Sequence, residues 1–161
     1  MSLLEVFLDL APVISATILG VFGLLISRKY QRKNREIADD RMMKELFSEF
    51  NHRYNKLNDS LASLEKKNWT LPELEMEDNK KYKDDVIDFF NLCAEEYYWF
   101  TKGRIDPKVW KAWHSGMNYW VNQVKVIQEL WLKEIKANGK TSYYLEGAEE
   151  FFRLTKPFQI Q

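Results

Sequence analysis

The chain has one cysteine, two histidines, four prolines and six glycines among its 161 residues, and no net charge. Each scarcity excludes something. The lone cysteine, Cys93, closes no internal disulfide and builds no structural zinc site, so no oxidising compartment is implied. Two histidines leave little room for metal or acid–base chemistry, and no cofactor is expected. Basic and acidic side chains number 24 each, which argues against a generally basic surface and direct nucleic-acid binding. The glycines are scattered, with no phosphate-cradling loop, dinucleotide turn or nucleophile elbow. Alternation of period two is missing over any useful length, so no sheet is expected. The length suits one domain of ordinary size.

What the chain does have is a long apolar run. Leu10 to Ile26 contains no charged residue. With Ser27, and with Val6, Phe7 and Leu8 before Asp9, the stretch approaches the ~20 residues that span ~30 Å of hydrocarbon. Arg28, Lys29, Arg32, Lys33 and Arg35 follow at once. The charge therefore divides as −2 over residues 1–27, +5 over 28–35 and −3 over 36–161. A secretory signal would place its positive charge before the run. The reversed order predicts an anchor with a short external N-terminus and a cytoplasmic C-terminal domain, in a membrane that borders the cytoplasm. A buried soluble helix is the competing reading. The basic residues suit anionic lipid headgroups, at about 1 kcal/mol each near the surface.

Small residues share one face of this run. Ala16, Gly20, Gly23 and Ser27 recur at spacings of four, three and four, with Asp9 seven positions before Ala16. Helices in lipid associate by close backbone packing through such faces. The expectation is a homo-oligomer with Asp9 at one mouth, as a pore in its strongest form. The plainer reading is that small residues are common in spanning helices.

Beyond the anchor the periodicity is helical throughout. No glycine or proline falls between Gly23 and Pro72, and Met43, Phe47, Phe50, Tyr54, Leu57, Leu61 and Leu64 form a seam of alternating four and three. A helix unbroken from Leu10 to Lys66 would be a rod of ~85 Å; a break between Asn34 and Asp40 is equally compatible. Thr70-Leu71-Pro72 is expected to stop this helix, leaving Trp69–Asn79 as an acidic connector. A second helix is predicted over Lys80–Lys102, with Val86, Phe90, Cys93, Tyr97 and Phe100 inward and Gly103 as a left-handed cap. Asp106-Pro107 should cap a third. That helix carries Trp110, Trp113, Met117, Trp120, Val124, Ile127 and Trp131 to a stop at Asn138-Gly139. A short last helix is predicted over Ser142–Leu154, with Leu145, Ala148, Phe151 and Phe152 inward. The fold class is all-α: an anchor continuing into a long helix, packed with two long helices and one short one. The domains are an anchor at 1–27, a basic collar at 28–35 and a helical bundle at 36–161.

Little in these helices suggests chemistry. A di-iron bundle needs two Glu-x-x-His units, and only Glu49-Phe-Asn-His52 qualifies. Glu95 and Glu96 are consecutive and diverge by about 100° on a helix, which forbids joint chelation; one solvated carboxylate and one buried partner for an Arg or Tyr is the ordinary expectation. Cys93 on an apolar face reads as a small core residue. Sixteen of the 24 aromatics lie between Phe89 and Phe158. Tyr98, Trp99 and Tyr119 exceed what one helix seam needs and are candidates for a protein interface.

Two segments carry a resemblance. Glu45-Leu-Phe-Ser-Glu-Phe-Asn-His-Arg-Tyr-Asn-Lys-Leu-Asn58 and the stretch from Phe89 to Trp113 (FFNLCAEEYYWFTKGRIDPKVWKAW) resemble a widespread, largely uncharacterised bacterial family of small helical domains. These often stand behind a single N-terminal span. The likeness extends over about residues 10–155. The architecture is also similar to the membrane accessory proteins of type VI-B CRISPR systems, which implies antiviral defence, assembly into a membrane pore and a cytoplasmic defence effector as partner. Proteins of that kind are described with a divergent HEPN motif, a closely spaced Arg and His. Here ten residues separate Arg41 from His52, and nine separate Arg104 from His114, which disfavours RNA cutting. The resemblance further implies that Asn51, Arg53, Asn58, Asn91, Glu95 and Asp106 make contacts that fix helix register, with Asp106 capping.

The leading expectation is a non-enzymatic, single-pass membrane protein that oligomerises and alters membrane integrity in antiviral defence. The alternative is a membrane-tethered module that recruits a cytoplasmic protein. A third, an enzyme, would require several buried, convergent ionisable groups.

Overall fold

In the computed structural model the described residues are 3–138, 140–145 and 152, with side chains described for 12–137, 141–145 and 152. Those residues form five α-helices and two 3-10 turns, and no strand. The chain divides into two units, residues 1–42 and 43–161.

Helix α1 runs from Leu3 to Lys67 without interruption, so the backbone is helical through residues 28–40. Pro12 lies inside it, a placement tolerated in apolar helices where neighbouring groups satisfy the freed carbonyl. In the first unit every described side chain from Pro12 to Asp40 is exposed.

The second unit is a helical bundle. Its α1 segment contributes Phe50, Leu57, Leu61 and Leu64 to the core, with Met43 and Tyr54 packed against it. Phe47, the remaining seam residue, is 46% exposed yet stacks on Trp113 at 5.7 Å. Asn68 ends the helix. It takes a left-handed φ of 47° while its N–H still donates to the Leu64 carbonyl, a conformation Asn tolerates better than most residues. Pro72 therefore stops nothing: it sits in the first turn of a further short helix, α2 (Leu71–Leu74). Proline fits there because first-turn N–H groups have no intrahelical partner. The Thr70 N–H and hydroxyl both donate to Glu73 Oε2 at 2.7 Å. Leu74 is fully buried, and Glu75 accepts from Lys133 at 2.5 Å and pairs with Lys83 at 3.5 Å. The acidic connector is thus fastened to the bundle. A 3-10 turn at Glu77–Asn79 leads into α3 (Lys80–Thr101).

Helix α3 buries the predicted Val86, Phe90 and Cys93, and also Phe89, Leu92 and Ala94, while Tyr97 and Phe100 are half-buried. Its end is a Schellman cap. Gly103 has φ 67°, its N–H donates to the Phe100 carbonyl, and the Arg104 N–H donates to the Trp99 carbonyl. Asp106 Oδ1 accepts from the Lys108 N–H at 2.7 Å and opens α4 (Pro107–Gln123).

The predicted long third helix is in fact two. Val124 is extended (φ −107°, ψ 99°) and separates α4 from α5 (Lys125–Asn138). Its N–H keeps the bond to Trp120 O, and its carbonyl accepts from Ile127 and Gln128. The reason lies in burial: Trp120, Val121, Val124, Val126, Ile127, Gln128, Leu130 and Trp131 are all buried. So dense a set is wider than one helical stripe, and the break lets both halves face the core. Phe90 sits at its centre, ringed by Trp131 at 5.1 Å, Phe152 at 5.9 Å, Phe89 at 6.0 Å and Tyr143 at 6.4 Å. Each such pair adds about 0.5–1.5 kcal/mol beyond its burial.

The last predicted helix begins differently. Lys140–Tyr143 is a 3-10 turn, and Tyr144 has φ 58°. Leu145 and Phe152 are buried as expected; Ala148, Phe151 and the rest of that helix lie outside the described residues.

Candidate functional site

Two regions concentrate the candidate side chains. The first is the apolar part of α1. Val13, Ile14, Ile18, Leu19, Val21, Phe22, Leu24, Leu25 and Ile26 are between 49% and 72% exposed. This is the one helix among the described residues long and apolar enough to cross a membrane, and none of its apolar window is buried. Its hydroxyls are absorbed locally: Thr17 donates to the Val13 carbonyl at 2.8 Å, and Ser27 accepts from Gln31 at 3.4 Å. Ala16, Gly20, Gly23 and Ser27 fall on one exposed face, and a Cβ added at either glycine would meet nothing within 4 Å. The Asp9 side chain lies outside the described residues.

Arg28, Lys29, Arg32, Lys33 and Arg35 are all exposed. Ile26, Lys29, Tyr30 and Lys33 line one shallow concavity, at helical spacings that give an apolar root, a phenol and two ammonium groups. Arg32 also pairs with Glu36 at 3.2 Å.

The second region is the seam between the 43–67 segment of α1 and α3. Arg53 donates to both oxygens of Glu95, at 2.6 and 3.0 Å. Glu95's bonds raise the Arg53 pKa further. Seven residues along α1, the Ser60 hydroxyl donates to Asp85, which also takes Lys81. The pairs 53–95 and 60–85 run in opposite senses, so the helices are antiparallel. Trp120 Nε1 donates to Tyr54 Oη at 2.8 Å and ties α4 to the same seam. Ser60, Lys81 and Asp85 resemble a hydrolytic trio in composition only. Lys81 is largely exposed and donates to the serine oxygen at 3.2 Å, so it stabilises a hydroxyl rather than taking a proton from it.

Beside this seam is a cavity of about 160 Å³, bounded by Asn51 and Tyr54 of α1, Phe89, Leu92, Cys93 and Glu96 of α3, and Ala112, Trp113, Gly116 and Met117 of α4. Glu96 is only 6% exposed. Burial pushes its carboxyl up to about 8, against the pull of Arg53 and with a smaller push from Glu95. Burial also raises the Cys93 thiol well above its ordinary value, helped by Glu96. A thiol so held is unreactive at neutral pH, as its apolar position implied.

The sequence pairing of Glu95 with Glu96 resolves as one carboxylate on Arg53 and one in the cavity. What the sequence did not expose is the cavity itself, whose walls come from three helices. Among the described residues no group of three metal-ligating side chains converges. His52 is exposed, and His114 stacks on Trp110 at 5.1 Å. Of the residues singled out for register, Asn51 donates to the Phe47 carbonyl at 2.7 Å, while Asn58 is exposed.

The surplus aromatics part company. Tyr98 is 38% exposed under the Lys102 ammonium, and its ring meets Trp99 edge-on, but Trp99 is half-buried against the core. Tyr119, 48% exposed, donates to Glu65 at 2.6 Å. Comparison of the chain with protein-family models, curated proteins and solved structures finds no match.

Proposed function

We propose that the chain is a single-pass membrane protein whose α1 spans the bilayer and self-associates through Ala16, Gly20, Gly23 and Ser27. The N-terminus lies outside and the helical bundle in the bacterial cytoplasm. The observation that carries this is the contiguous exposure of nine large apolar side chains between Val13 and Ile26, bordered at once by exposed basic residues. In water that surface costs about 25 cal/mol per Å²; in hydrocarbon it costs nothing. The empty space around Gly20 and Gly23 supports self-association, because a second backbone fits where no side chain of the same chain competes. Arg28, Lys29, Arg32, Lys33 and Arg35 hold anionic headgroups of the inner leaflet. Pore formation and a role in antiviral defence beside a cytoplasmic effector extend this reading, with support from the resemblance of residues 45–58 and 89–113.

The test is the oligomeric state of the detergent-solubilised chain by light scattering. Self-association predicts a defined multimer. Gly20→Leu with Gly23→Leu should reduce it to monomer without changing the helical signal, since neither new side chain meets its own chain. A monomer at every wild-type concentration overturns the proposal. Tyr98 and Tyr119, both exposed, support the second reading of a tethered module that recruits a protein. Dye leakage from cells expressing the chain separates the two: permeabilisation favours the assembly, silence the module.

A further inference from the structure

The cavity walled by α1, α3 and α4 belongs neither to the anchor nor to the seam's ion pairs. We propose that it is a binding site for a small organic cation, a protonated amine carried on a ring-sized apolar body. Size comes first. About 160 Å³ matches the space that holds one aromatic ring in a protein interior. Access comes second: Ala112 on the lining is exposed, and Gly116 leaves its surroundings empty to 4 Å where a Cβ would stand.

The chemistry of the walls then selects the ligand. Phe89, Leu92 and Met117 supply apolar contact. Trp113 and Tyr54 bring aromatic rings to the lining, and such rings attract cations. Asn51 spends an amide hydrogen on the Phe47 carbonyl, which leaves its Oδ1 to accept. Glu96 is the decisive group, a carboxyl more than nine-tenths buried on the lining. The charged groups acting on it are Arg53 from α1 and Glu95 on its own helix, and Arg53 is already engaged at both oxygens of Glu95. The four lining residues of α4 bring no ionisable group. A cationic ligand supplies the missing counter-charge, and because burial holds the empty site's carboxyl protonated up to about pH 8, binding at neutral pH releases that proton.

The experiment is calorimetric titration of the full chain in non-ionic detergent with benzylammonium, against benzyl alcohol as its neutral isostere and detergent alone as blank. The expected result is saturable one-to-one binding of benzylammonium near 1 mM or tighter, about ten-fold stronger than benzyl alcohol. The heat should differ between phosphate and Tris buffers by the proton released. Glu96→Gln should abolish the preference for the cation, and Gly116→Leu should block both ligands. Equal affinity for the two ligands, or benzylammonium binding unchanged in Glu96→Gln, overturns the assignment. So does the absence of saturable heat from the wild-type chain.

Discussion

At the scale of residues, two neighbouring carboxylates show how environment decides role. Glu95 and Glu96 are adjacent in the sequence, yet α3 turns one onto the Arg53 guanidinium and the other into an apolar cavity. The first is a charge-assisted, bidentate contact at a half-buried seam. The second stores an electrostatic cost. Glu96 titrates at about 8 in the folded chain against an ordinary value of 4.5. Below pH 4.5 the carboxyl is protonated folded or unfolded and costs nothing. As the pH rises from there to about 8, the unfolded chain releases the proton while the folded chain keeps it, so stability falls across that window. Above it the penalty is constant. Glu96→Gln should therefore raise the melting temperature at pH 8 by about 5 °C or more and change it little at pH 5. Thermal melts across that range check this, and a difference independent of pH contradicts it. That divergence on one helix was foreseeable from the 100° step between consecutive residues; the cavity was not, because no local pattern encodes a space between three helices.

At the scale of elements, local chemistry was legible wherever the chain places a dedicated residue. Gly103 adopts its left-handed φ and Asp106 accepts the Lys108 N–H, both in the positions their spacing marks. Gly103→Ala should cost about 1 kcal/mol, since a Cβ at φ 67° is strained although nothing crowds it. Denaturant titration measures it, and an unchanged midpoint contradicts it. Two boundaries escaped local reasoning for one shared cause: tertiary burial overrode it. Pro72 marks a beginning because Leu74 needs a turn to reach the core. Val124 breaks a helix with neither glycine nor proline because residues 120–131 bury too many side chains for a single stripe. The clue available was the cluster of β-branched Val121, Val124, Val126 and Ile127, which weakens helix propensity where packing pulls both ways.

At the scale of the whole molecule, the absence of net charge conceals segments of −2, +5 and −3. Among the described residues no fully buried side-chain nitrogen or oxygen lacks a partner, while the Glu96 carboxyl opens onto the cavity. Residues 13–26, by contrast, leave large apolar side chains uncovered. A soluble monomer rarely exposes so large a contiguous apolar patch, whereas a bilayer covers it along its full length. The apolar run and basic border were plain in the sequence; the uninterrupted helix through residues 28–40 was one of two alternatives, decided by the structure. The most direct measurement is alkaline carbonate extraction of membranes from cells expressing the full chain. A spanning α1 predicts that the chain stays in the membrane pellet at high pH and leaves it only in detergent. Release into the carbonate supernatant would contradict a transmembrane α1.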